Sequence, residues 1–453
     1  MRNKINAILD KINVFIVIYL IVLVPITFLI NYFYIFHFGS PFTFKIHQAL
    51  TMILPLEIII YSYKLFSKQF RLNIFDLLIF LLILVGFISV MNARDMTLAL
   101  WGSTNRYEGF IQICAYYFLF LNARFIKDKD QVIKIINSLI VVGLLQFIYS
   151  CLQVFVRGDY IYVKNEVVSY RASGFIGHPN MLGTYIVLTL LLALGMYFLY
   201  DKNKKFYLIS SLLLYINLIL AQSTGPYFGF VIGLIFMIIY LIIKKKINIE
   251  QILVIVSASV ILLLGTTMIS RAYCENKFYD KFEDDFTIVG DIKTTFTTIG
   301  KIITSSDEKD NYGVTSVQQY GSNRLWIWKR SLKLVPKYLW TGAGIDNFGI
   351  VFMESLNETD LSYMTNAYID RAHNEYLQIL VTEGIFSLLL YLTLLFLVFM
   401  RGIKSKDTLV SVLMFGFVGY AVQAFSNIRV YNMAPFFFVV MGILVGLTEK
   451  VEE

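Results

Sequence analysis

Long apolar runs separated by short polar breaks extend through most of the chain. They lie near 13–36, 46–66, 73–91, 107–123, 132–156, 180–200, 206–222, 225–243, 250–269, 373–400, 408–426 and 430–448. Each is about 17 to 28 residues, the length over which a helix crosses about 30 Å of hydrocarbon, tilted where longer. The pattern predicts an all-α integral membrane protein of about 12 transmembrane helices, because helices satisfy their own backbone in lipid. One polar interruption is different in scale. From 270 to 372 roughly 100 residues separate two apolar runs, far beyond an ordinary connection. Three parts are therefore expected: helices one to nine over 1–269, a loop with an interfacial helix over 270–372, and helices ten to twelve over 373–453.

Composition agrees with lipid as the solvent. The chain is 57% hydrophobic, 16% aromatic and 15% charged, with a mean hydropathy of +0.67. That much apolar surface cannot all be packed inside a water-soluble fold. The net charge of +8 concerns topology rather than nucleic acid, since no basic face is interleaved with aromatics. Lys and Arg cluster in Lys64–Arg71, Arg124–Lys134, Asp201–Lys205, Lys244–Lys246 and Arg401–Lys406, the cytoplasmic turns by the positive-inside rule. The run 13–36 is too long for a signal-peptide core and no small-residue cleavage site follows it, so it reads as a retained first span. Both termini are then expected in the cytoplasm. Four notable segments fall on the extracytoplasmic face: 92–106, 157–179, the Ser223–Pro226 turn and the long loop. Cys114, Cys151 and Cys274 are scattered and odd in number, which implies no disulfide framework. The four His and three Cys show no paired zinc spacing, and no metal or other cofactor is implied.

Within the long loop the character changes. Glu275 to Tyr312 is acidic and rich in Thr and Ser, and its Asp284-Asp285 and Asp307–Asp310 clusters read as solvated charge on a loosely packed insertion. From Arg324 to Pro336, helical spacing places Leu325, Trp328, Leu332 and Val335 on one face and Lys329, Arg330 and Lys333 around the other. Such a helix suits the membrane interface, with its apolar face toward lipid. A glycine turn, Thr341–Phe348, follows.

Polar residues beside apolar runs are the candidates for chemistry. His373 precedes the tenth run, and Asn374 suits a helix N-cap; the same His is the side chain best able to take a proton near neutral pH. Glu383 lies about 15 Å further along that helix, where a carboxylate is either a functional group or a paired structural anchor. Arg324, Arg171 and Arg106 stand on the outer face, where Arg is less expected. Each is either a surface or lipid-phosphate contact or a fixed grip on a diphosphate. His178-Pro179-Asn180 reads as a turn and helix start, and Glu57 and Gln222 carry no assigned role.

Several of these residues resemble a known family. Arg324-Leu-Trp-Ile-Trp328, Gly342-Ala-Gly-Ile-Asp-Asn-Phe348 and Ala372-His-Asn-Glu-Tyr-Leu-Gln378 followed by Glu383-Gly384 look like the O-antigen ligase and O-antigen polymerase superfamily. Ligases of that family carry His, then Asn, Ser or Gln, nine residues, Gly, two residues, and Gly, Thr or Tyr. His373, Asn374 and Gly384 fit, and Ser387 departs in the last place. Arg106-Tyr-Glu-Gly109 and Arg171-Ala-Ser-Gly174 are also similar to family members. A second departure is Ser223-Thr224-Gly225 where many members read Ser-Arg-Gly, so a donor-contacting arginine is replaced by Thr224.

The resemblance implies a GT-C-like membrane glycosyltransferase of the bacterial cytoplasmic membrane. Such enzymes move a glycan from undecaprenyl diphosphate to a glycan, cell-wall or surface-protein acceptor on the outer face, without a metal. It implies His373 as base, aided by Asn374 or Glu383, and Arg324, Arg171 and Arg106 as diphosphate binders. Two other readings stand beside transfer to a separate acceptor. One is a polymerase that joins lipid-linked repeat units. The other is a twelve-span transporter or flippase, although the halves show no repeat and the polar residues collect at the surface rather than mid-membrane.

Overall fold

The structure, a computed structural model, describes residues 2–38, 46–67, 70–104, 106–157, 161–163, 166–169, 171–247, 249–278, 324–357 and 368–449. The Asp284-Asp285 and Asp307–Asp310 clusters lie outside them.

All twelve apolar runs coincide with helices. These are α1 (Arg2–Phe38), α2 (Ile46–Phe66), α3 (Ile74–Met91), α5 (Phe110–Ala123), α6 (Lys129–Cys151), α7 (Pro179–Leu199), α8 (Lys204–Ala221), α9 (Thr224–Ile243), α10 (Ile249–Phe278), α13 (Glu375–Lys404), α14 (Thr408–Gln423) and α15 (Ala434–Thr448). Among the described residues nine helices are long and apolar enough to cross a membrane, and α5 and α15 are shorter apolar helices. Among the described residues three further α-helices lie in the connections: α4 (Met96–Trp101), α11 (Arg324–Tyr338) and α12 (Phe348–Glu354). The fold is that of an all-α integral membrane protein. Among the described residues its small exception is an antiparallel hairpin, β1 (Ile161–Val163) with β2 (Glu166–Ser169), where Tyr162 pairs with Val167.

The bundle is centred on α7 and α14, the two most enclosed candidate spans. Lipid supplies no hydrophobic drive between helices, so close approach depends on small residues. A Cβ on Gly419 of α14 would meet Leu191 of α7 at 2.2 Å, and one on Gly229 of α9 would meet the Gly419 carbonyl at 2.7 Å. At the Lys- and Arg-rich end, buried Arg124 donates to Asp76 (2.6 Å) and to Glu449 (2.6 Å), while Tyr61 donates to Asp76 (2.8 Å). This network ties α2, α3 and the end of α5 to the chain just beyond α15.

At the opposite end α11 does not bury the face that its spacing suggested. Ile327, Ser331 and Leu334 are buried, Trp328 is half-buried and Leu332 is 58% exposed. Ile327 and Leu334 pack with Phe348, Phe352, Leu377 and Val381, so contact with α12 and α13, rather than lipid alone, sets the helix rotation.

Helix α13 is broken at Gly384, where φ is +86°. The carbonyls freed at Val381 and Thr382 accept from the glycine turn, Ala343 N at 2.9 Å and Gly344 N at 3.0 Å; Ile385 N donates to the Leu339 carbonyl at 2.7 Å. Ser89 of α3 also donates to the Thr382 carbonyl, at 2.6 Å. A Cβ on Gly384 would sit 2.6 Å from the Trp340 carbonyl, so only glycine fits. Gly384→Ala should cost about 1–3 kcal/mol or more, because strain and a backbone clash add. Gly177→Ala is the control, since Gly177 has a φ of +81° but open space around its Cβ position. It should cost about 1–2 kcal/mol at most. Thermal unfolding in detergent micelles checks the order; equal melting temperatures for the two variants would contradict it.

Candidate active site

His373 sits in a strap, residues 368–374, that leads into α13. Its backbone is in the left-handed region, φ +51°, uncommon for a non-glycine residue. Both neighbours are pinned. Ala372 donates its N–H to Gln378 Oε1 (2.9 Å), and its carbonyl accepts from Trp328 Nε1 (2.9 Å). Asn374 is buried and is the N-cap of α13, its Oδ1 accepting from Leu377 N (3.0 Å). The capping reading of Asn374 is thus the one its oxygen fulfils, and the half-buried imidazole is held in place by backbone geometry.

Three arginines from separate segments come to the same place. Arg106 forks onto Asp370 of the strap, Nε to Oδ2 at 2.6 Å and Nη2 to Oδ1 at 3.4 Å. Arg171 Nη2 donates to Asn180 Oδ1 (2.8 Å), and its Nε donates to the Ala221 carbonyl (3.3 Å). Ser223 donates to the same Asn180 oxygen (2.8 Å), which sets Arg171 beside the start of α9. Arg324 opens α11. His178 caps α7 by accepting from Asn180 N through Nδ1 (3.2 Å), and it joins the group, although its motif reads only as a turn and helix start.

The electrostatics show that these groups share one field. Burial, then Arg324 and Arg106, push His373 down to about 4, against an opposing pull from Asp370. His178, more exposed, is also pushed down to about 4 by burial and by Arg106, Arg171 and Arg324. Burial raises Asp370, but Arg106, Arg371 and His373 outweigh it and hold the carboxyl below the ordinary carboxylate range. At neutral pH both imidazoles are uncharged, beside three guanidinium groups and one carboxylate. Such a set suits a multiply charged anion, with a neutral nitrogen base at its edge.

A second polar layer lies against the strap, around a cavity of ≈ 20 Å³ lined by Glu108, Asp346, Arg371, Glu375, Gln378, Glu383 and Arg429, among others. Arg371 forms a buried ion pair with Asp346. Arg429 reaches Glu383 (Nη2 to Oε1, 3.3 Å) and Glu108 (Nε to Oε2, 3.5 Å). Tyr116 donates to Glu108 (2.6 Å), Tyr391 to Glu375 (2.8 Å) and Ser387 to Glu383 (2.8 Å). Ser387, which departs from the motif in the sequence, therefore has a partner of its own.

Of the candidates, His373, Arg324, Arg171 and Arg106 come together. Glu383 belongs instead to the second layer, paired with Arg429. Asp370, Arg371, Glu108 and Arg429 were not singled out from the sequence. Arg429 carried the same signal as Arg106 and Arg171, an arginine in a break at the expected outer end of two apolar runs.

Residues 208–392 match the O-antigen ligase family, a segment that runs from α8 into α13 and includes Arg324, His373 and Glu383 but not Arg106 or Arg171. No curated protein matches the chain. The family match supports the resemblance to the O-antigen ligase and polymerase superfamily, and at that level a membrane enzyme of glycan transfer.

Burial pushes the Glu108 carboxyl up to about 7, with Arg429, Tyr116 and Arg371 pulling against it and Asp346 adding to it. A carboxyl raised on folding stabilises the protein fully below its unfolded value, and that stability is lost as pH rises through the folded value. Glu108→Gln should therefore gain melting temperature relative to wild type as pH increases from 5 to 8. A difference that stays constant over that range would show that Glu108 does not titrate there.

Proposed function

We propose, on the premise of this O-antigen ligase-like segment, that the protein transfers a glycan from an undecaprenyl diphosphate carrier to an acceptor at the outer face of the cytoplasmic membrane. The observation that supports the reading is the convergence of His373 and the neighbouring His178 with Arg324, Arg106 and, through His178, Arg171. In the reaction the acceptor's oxygen or nitrogen bonds to the anomeric carbon as its proton passes to neutral His373. The bond from that carbon to the diphosphate oxygen breaks, and its electron pair stays on the diphosphate. Charge grows on the leaving group, and fixed guanidinium groups oppose it most strongly in the transition state. Arg171, held beside Ser223 through Asn180, supplies the charge that Thr224 lacks.

The base is tuned by the donor. With the arginines unneutralised, His373 is pushed down to about 4; a bound diphosphate offsets Arg324 and Arg106, so the imidazole becomes more basic when the donor is in place. The broken helix α13 is a feature that transporters also use. Here the glycine turn takes the carbonyls of the break, which leaves them no place in an ion site.

Deletion of the protein separates the two transfer readings. Long lipid-linked chains with bare acceptors mark a ligase, and single lipid-linked repeat units mark a polymerase. His373→Ala should reach the membrane and reduce transfer by about 10²–10⁴-fold. Full rescue of the deletion by this variant would refute the base. With purified enzyme, the acid limb of kcat/KM should lie near the free-enzyme value of about 4 and that of kcat at higher pH. Coincident limbs would refute tuning by the donor.

A further inference from the structure

We propose that Arg429 is a positioning residue that sets Arg106 and His373 in register, acting through Glu108 and the carboxylates of α13 rather than by touching the substrate. The inference rests on the transfer reading above.

The geometry has four parts. Glu108 lies two residues after Arg106, and Glu375 lies two residues after His373, so each segment of the site carries its own buried carboxylate. The Arg429 guanidinium stands 3.5 Å from Glu108 and 3.3 Å from Glu383 of α13, with the Glu375 charge also acting on it. The carboxylates are at most 4% exposed, and the arginine side chain 10%. Their outer oxygens are held by Tyr116, Tyr391 and Ser387, which belong to α5 and α13. Arg429 is thus a link between the 102–109 loop and α13 made from the connection between α14 and α15, a segment that contributes no group to the site itself.

The electrostatics explain why the link is stiff. Three buried carboxyl groups around one guanidinium form a network in which their charged forms depend on the same cation, and removal of that partner leaves uncompensated charge. Glu375 Oε2 and Gln378 Nε2 line the cavity without a hydrogen-bond partner, around room for about one water. On the strap, Arg106 pairs with Asp370 and Arg371 pairs with Asp346. Those pairs hold the strap to the neighbouring loops, while Arg429 joins the loop and the helix on either side of it. A displacement of about 1 Å at a catalytic group costs up to about 100-fold in rate.

The test uses the full-length protein in micelles and in a deletion strain. Arg429→Gln alone is expected to unfold early, because it strands three carboxylates. The double variant Arg429→Gln with Glu383→Gln restores the wild-type net charge of the cluster and should recover most of the melting temperature that Arg429→Gln alone loses. If Arg429 positions the site, the double variant should still bind undecaprenyl diphosphate about 10-fold more weakly and transfer about 100-fold less glycan per membrane-inserted molecule. Arg429→Lys, which keeps the charge but not the fork, should fall between wild type and the double variant. Wild-type affinity and transfer in the double variant would overturn the positioning role and leave Arg429 a folding residue. Failure of wild type itself to bind undecaprenyl diphosphate would instead overturn the donor reading, so the two failures are distinct.

Discussion

Helix α13 is interrupted at Gly384, and the polar backbone exposed there has to be satisfied. In an apolar surrounding an orphaned carbonyl costs several kcal/mol, roughly half of a domain's net stability. The glycine turn after α11 supplies the donors, Ala343 N and Gly344 N, and Ser89 adds a third. That one exchange docks the loop region onto the bundle. With the turn in place, α11 and α12 pack on the first half of α13, Trp328 grips the Ala372 carbonyl, and His373 takes its left-handed backbone.

Two polar layers of opposite character meet at the strap. One gathers Arg106, Arg171 and Arg324 with two neutral imidazoles; the other gathers Glu108, Glu375 and Glu383 around Arg429. Asp370 and Arg371 are adjacent in sequence yet serve the two layers separately, pairing with Arg106 and Asp346. A cluster of cations is unstable by itself, because like charges repel. Asp370 offsets part of that repulsion at Arg106, and Asn180 with the Ala221 carbonyl holds Arg171.

The helical bundle was legible because lipid imposes a single rule. Every span must be about 20 apolar residues, so each of the twelve runs falls on one helix, although α1 begins 11 residues before its run and α10 ends 9 residues after its own. The ends moved where local geometry intervened. At the start of the fourth run the chain turns, with φ values of +82° at Gly102 and +53° at Tyr107, and the helix begins at Phe110. Helix α11 was recognised as amphipathic, but its buried face was misassigned. An interfacial helix with Trp on one side and Ile and Leu on others has no unique apolar stripe until a partner covers one.

The site divides along the same line. His373, Asn374 and the three arginines stood out from the sequence, because charged or titratable groups beside apolar runs are costly and so conspicuous. Their roles relative to one another did not. Sequence distance carries no information on which of several outer-face charges meet, and Glu383, close to His373 along the chain, belongs to a different cluster, whereas Arg171, far from it, acts on the same His178 as Arg324 does. The sequence by itself determined the solvent, the helices and the residues costly enough to need a reason. Only the tertiary structure decided which charges share a low-dielectric volume, because pairing energies there depend on distances of a few ångströms that no linear spacing encodes.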